Sequence, residues 1–192
     1  MMRQPYAIAS FALCAFFVAT ILVGWIYNDL GIVRVVGGEN SVGSWLSGVL
    51  LVISATTSGF MSVERKKYVW LLACLFFLTL AIDENFMLHE YAKRTIVFTD
   101  YNNTTDSGNE LRGEIPVMIG ALIGAFAAYV LWRITDRRYR WLIPIGVLLG
   151  TASVVMDIFK VGVLWEDSCK LLGELAVTCC LVLEYGAKRS ES

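Results

Sequence analysis

A chain of 192 residues that is 57% apolar and 17% charged, with a mean hydropathy of +0.62, cannot hide its apolar surface in one water-soluble core; soluble domains carry ~25% charged residues. The composition is that of a polytopic membrane protein. A net charge of −1, with no basic face interleaved with aromatics, excludes nucleic acid as a partner.

Six apolar segments follow one another: Tyr6–Tyr27, Ser44–Val63, Tyr68–Leu88, Ile115–Ile134, Trp141–Lys160 and Trp165–Tyr185. Each approaches the ~20 residues that a helix needs to cross ~30 Å of hydrocarbon. The runs lack the alternation of a membrane barrel, so helices are expected. The first segment is longer than a signal-peptide core and shows no small-residue cleavage site, so it reads as a retained helix. The fold class is all-α, a single bundle of six transmembrane helices in one domain over residues 1–192.

Basic residues set the orientation. With the amino end in the cytoplasm, that side holds Arg3, Arg65, Lys66, Lys67, Arg133, Arg137, Arg138, Arg140, Lys188 and Arg189. The other side holds Arg34, Lys93, Arg94, Arg112 and Lys160. Ten against five places both termini inside. The six tryptophans agree: Trp25, Trp45 and Trp165 fall at the outer boundary, Trp70, Trp132 and Trp141 at the inner one, as an aromatic belt requires. The expected location is a bacterial inner (plasma) membrane, crossed several times. The first outer loop, Asn28–Gly43, is rich in glycine and valine, and Tyr91–Glu114 is the one long loop.

The stretch Leu80–Glu90 is the most informative. It ends an apolar run, yet Asp83, Glu84, His89 and Glu90 fall within it, and His89 is the only histidine. Charges in a spanning helix cost roughly 2.5–3.5 kcal/mol each on insertion scales, and usually serve a function. At ~1.5 Å per residue, Asp83 and Asp157 lie at nearly the same depth in the outer third. Glu166 and Asp167 start the sixth helix at the outer surface, Lys170 lies one turn deeper, and Glu174 is near the midplane. Glu166, Lys170 and Glu174 form an i, i+4, i+8 ladder, and Asp157 and Lys160 are spaced to pair within the fifth helix. Glu64, Asp136 and Glu184 count as surface residues.

Three readings compete. Ion pairs of Lys160 and Lys170 with Asp157 and Glu166 would simply hold the helices together. A site for a divalent metal ion, from Asp83, Glu84, His89, Glu90, Asp157 and Glu174, would use hard oxygen ligands with one imidazole; a metal-bound water there would suit membrane-embedded hydrolysis. Cation or proton transport would use Glu174 as a deep gate, but no inverted repeat accompanies it. The di-iron Glu-x-x-His spacing and the HExxH pattern are both missing. A cofactor pocket with His89 as axial ligand has no other feature behind it.

Small residues mark helix contacts: Gly120 and Gly124 on the fourth helix, Gly146 and Gly150 on the fifth. In a structural or accessory subunit, the fourth-helix stripe would face other membrane subunits or a second copy. The five cysteines lie inside helices without a CxxC pair, which suits packing rather than zinc or redox chemistry. The favoured expectation is a small integral membrane protein with an outward-facing carboxylate/histidine pocket that binds a cation.

Overall fold

The computed structural model describes residues 4–27, 35–36, 41–88, 91, 115–159 and 161–189. These residues form six principal helices: α1 (Gln4–Tyr27), α2 (Val42–Arg65), α3 (Tyr68–Phe86), α4 (Ile115–Ile134), α5 (Leu142–Ile158) and α6 (Val163–Arg189). Their bounds fall within a few residues of the apolar runs, because each run keeps its backbone hydrogen bonds internal. α1, α2 and α3 are long and apolar enough to cross a membrane. α4 and α5 contain shorter apolar stretches, and α6 carries Glu166, Asp167, Lys170, Glu174 and Glu184 along its length.

Connections are tight where they are described. Ser41 caps α2, its Oγ accepting from the Ser44 amide at 3.0 Å. Such a cap stabilises a helix start by about 1 kcal/mol. A Cβ on Gly43 would stand 2.1 Å from the Val36 carbonyl oxygen, so only glycine lets the chain enter α2 along this path. Lys66, left-handed at φ 51°, turns α2 into α3. Met87, at φ 52°, ends α3 two residues before the apolar run does.

α2 and α6 form the centre of the bundle. α2 packs on α3 and α6, α6 packs on α5 and α1, and α4 closes against α5. The α5–α6 crossing is backbone on backbone: a Cβ on Gly146 would meet Val177 Cγ2 at 2.6 Å and the Gly173 carbonyl oxygen at 2.9 Å. Gly150 supplies the next approach, its amide nitrogen 3.4 Å from a Cβ on Gly173. Gly120 and Gly124 differ; nothing described lies within 4 Å of a Cβ at either.

The interior is unequal along its length. Towards the α2–α3 and α4–α5 turns, Leu51, Met61, Trp70, Phe77, Leu131 and Leu181 make a continuous apolar core. The opposite end has a smaller cluster, Phe17, Val36, Leu46, Leu50 and Leu171, between α1, α2 and α6. The outside is apolar as well, with Phe11 and Ile26 of α1, Phe126 of α4 and Leu148 of α5 all exposed. Exposed apolar surface of this extent marks a membrane or a partner.

Two expectations fail at the turn end. Glu184 is not a surface residue: it is fully buried. Its Oε1 accepts from Arg65 Nη1 at 2.9 Å, its carbonyl from Arg65 Nη2 at 3.0 Å, and its Oε2 from the Asp136 amide at 2.9 Å. Residue counting put it at the boundary, but the turns of α2–α3 and α4–α5 fold over it. Trp70 likewise leaves the aromatic belt. It is 1% exposed, a core residue with the Arg65 guanidinium 5.0 Å above its ring.

Candidate functional site

A cavity of about 300 Å³ opens at the end opposite these turns, where α2 and α6 begin and α3 and α5 finish. α2 contributes Gly43, Ser44 and Ser47, with Ser41 just before it. α3 contributes Glu84, and Met87 follows; α5 contributes Asp157, and α6 contributes Glu166, Asp167, Lys170 and Leu171. These side chains share one space because α3 and α5 run towards this end while α2 and α6 start from it.

Glu84 of α3 and Lys170 of α6 are hydrogen-bonded and ion-paired across the cavity. Among the described residues the α3 and α6 backbones do not come close, so this pair is the polar strut between them at this end. The ladder on α6 had offered Glu166 as the partner of Lys170 by spacing alone. The fold also brings it a carboxylate from another helix.

Glu174 lies one turn behind Lys170. Its Oε1 accepts from Ser47 Oγ at 2.9 Å. Its Oε2 is buried and has no hydrogen-bond partner among the described residues. Leaving a buried carboxylate oxygen without a donor is expensive, and more so where water is excluded. Beyond Glu174, Ser54 and Thr178 hydroxyls lie 2.9 Å apart in the α2–α6 seam, and Thr178 Oγ1 donates to the Glu174 carbonyl at 2.7 Å. Ser58, fully buried on the same α2 face, has no described partner for its hydroxyl.

The expected site residues divide into three groups. Glu84, Asp157, Glu166 and Lys170 line the cavity, with Glu174 directly behind its wall. Asp83 is half-buried on α3 and does not line it. His89, Glu90 and Lys160 lie outside the described residues. Among the described residues, no three His, Cys, Asp or Glu side chains group closely enough to hold a metal ion by themselves.

Sequence reasoning missed Ser41, Ser44 and Ser47 as cavity residues, and Ser47 as the donor to Glu174. A signal was available: Ser47, Ser54 and Ser58 are spaced by seven and four residues and so share one helical face. It also missed the approach of Cys14 on α1 to Cys179 on α6, with Sγ atoms 3.8 Å apart. Both thiols are free.

No curated protein and no solved structure matches the chain. A family profile does, over residues 13–185, which reaches from within α1 to within α6 and takes in every described residue of the cavity. The chain therefore belongs to the family described as "Domain of unknown function (DUF8692)".

Proposed function

We propose that this chain is a multi-pass protein of a bacterial plasma membrane whose six helices all span the bilayer, with the turn end cytoplasmic and the cavity opening outward. In this reading the cavity binds a small cation. The observation that carries it is Glu174: a carboxylate behind a carboxylate-lined wall, with one oxygen buried and no described donor to satisfy it. A positive charge arriving in the cavity offsets, directly or by freeing a protein donor, what the described residues leave unsatisfied.

A divalent metal is the first class to test, because carboxylate and hydroxyl oxygens are hard ligands. Magnesium-like ions keep several waters and need only about one or two protein carboxylates, so a tight cluster of three is not a requirement. The apolar core around Met61, Trp70 and Leu181, together with the Glu184 clamp, seals the cytoplasmic end. That favours a blind pocket over a conduit.

The test is direct. Protein purified in mild detergent should bind Mn²⁺ in a near one-to-one ratio, read by loss of the free-ion paramagnetic resonance signal. Asp157→Asn and Glu174→Gln should weaken binding at least tenfold while the protein stays folded. Absence of binding by the wild type to Mn²⁺, Ca²⁺ and Zn²⁺ alike overturns the reading.

A second reading rests on a different observation. No described residue lies against the Gly120/Gly124 stripe of α4, as a helix that docks on another membrane subunit, or on a second copy, requires. If the protein binds no cation and copurifies at fixed stoichiometry with a larger assembly, this accessory role replaces the pocket.

A further inference from the structure

The cavity already contains a cation, the ammonium of Lys170, and its position bears on how a second one enters. Lys170 Nζ is paired with Glu84. Its side chain is 35% exposed, whereas that of Glu84 is 13% exposed, so the lysine is the partner with room to move. Glu174 stands four residues further along the same helix, within reach of a lysine side chain. Its Oε2 has no described donor. Two half-buried carboxylates from two helices thus stand within range of one flexible ammonium.

Building on the cation-pocket reading, we infer that Lys170 is a tethered competitor: it holds Glu84 until a cation enters the cavity, and entry transfers it to Glu174. Before entry, the lysine is hydrogen-bonded to Glu84 with Glu174 in its field, and the Glu174 carboxylate accepts, among the described residues, from the Ser47 hydroxyl. Afterwards, Glu84 faces the incoming cation and Glu174 faces Lys170. The cation gains a site without any group being buried unpaired, and the donorless oxygen acquires its donor. Because the Glu84–Lys170 pair is also the strut between α3 and α6, the exchange releases the end of α3 from α6 and hands it to the cation.

Competition has a definite thermodynamic signature, since removing a bound competitor tightens binding. Lys170→Met should raise Mn²⁺ affinity at least tenfold over wild type, with Lys170→Gln as the alternative should the first variant fold poorly. Lys170→Arg keeps the competitor and should stay within threefold of wild type. Glu174→Gln removes the landing place, so it should weaken binding in the wild-type background and change it less than twofold in the Lys170→Met background. That non-additivity is the mark of coupled residues. Thermal unfolding of each variant separates loss of fold from loss of binding.

The outcomes separate the two claims. Wild-type binding that is unchanged or weakened by Lys170→Met, in folded protein, overturns the competitor role and leaves the pocket standing. Equal weakening by Glu174→Gln in both backgrounds makes Glu174 a direct ligand and also overturns it. No binding by any variant overturns the pocket, and this inference with it.

Discussion

Arg65 and Glu184 are joined twice, guanidinium to carboxylate at 2.9 Å and guanidinium to backbone carbonyl at 3.0 Å, with the carboxylate fully buried. Since Glu184 also accepts the Asp136 amide, one side chain of α6 fixes both turns at that end of the bundle. α2, α6 and the α4–α5 connection are thereby held in one register.

Breaking one partner of a buried pair strands the other, at a cost of about 3–5 kcal/mol. Arg65→Met and Glu184→Gln should each lower the unfolding midpoint in detergent sharply. The double variant Arg65→Met/Glu184→Leu should recover much of that loss, because no charge remains buried. Circular dichroism melts of the four proteins are sufficient.

The glycines of α5 and α4 should respond in opposite ways. Gly146→Ala forces a Cβ to within 2.9 Å of the Gly173 carbonyl oxygen and 2.6 Å of Val177, and overpacking of that kind costs about 1–3 kcal/mol. Gly120→Ala and Gly124→Ala meet open space. They should leave the monomer's stability within about 0.5 kcal/mol of wild type, so any effect they have should appear in oligomeric state by light scattering.

Cys14 and Cys179 should be oxidisable to a disulfide. Their sulfurs are 3.8 Å apart, and a bond at ~2.05 Å needs only a small closure of α1 on α6. Copper-phenanthroline treatment should produce an intramolecular cross-link, seen as faster migration on a non-reducing gel. Cys14→Ser or Cys179→Ser should abolish it, and Cys74→Ser or Cys169→Ser should not.

The seam hydroxyls should matter less. Hydrogen bonds between membrane helices average about 0.6 kcal/mol and reach about 1.7 kcal/mol. Ser54→Ala should cost within that range, and adding Thr178→Val should cost little more, because the pair is lost only once. The reading is the same thermal melt.

The helices were legible because long, mostly apolar runs without strand-like alternation favour a backbone that keeps its hydrogen bonds internal, and the chain is helical over each run from α1 to α6. The charged residues gathered at one end, Glu84, Asp157, Glu166 and Lys170, were legible from depth alone, since alternate helices run in alternate directions. Depth says nothing of rotation. Asp83 and Glu84 are adjacent and differ by ~100° about the helix axis; only Glu84 lines the cavity. Nor does depth show every partner: Lys170 lies one turn from Glu166 and Glu174, and the fold adds Glu84 from α3. Glu184 and Trp70 were misread for a related reason. A residue near a helix end counts as superficial until the turns that cover it are placed, and turns leave little trace in hydropathy. Ser47 stayed hidden because its tie to Ser54 and Ser58 is a spacing of seven and four residues in a helix with several other hydroxyls.

The uneven interior has a dynamic consequence. Local opening costs least where few apolar contacts must be broken, and the Leu51–Leu181 core lies towards the turn end. Amide protons in the first turns of α6 and the last turn of α3 therefore exchange with solvent deuterium through small, independent fluctuations, whereas those around Trp70 and Leu181 wait for the whole bundle to come apart. The expected behaviour is a rigid base, clamped by Arg65 and Glu184, with a more compliant mouth that carries the cavity's charged groups.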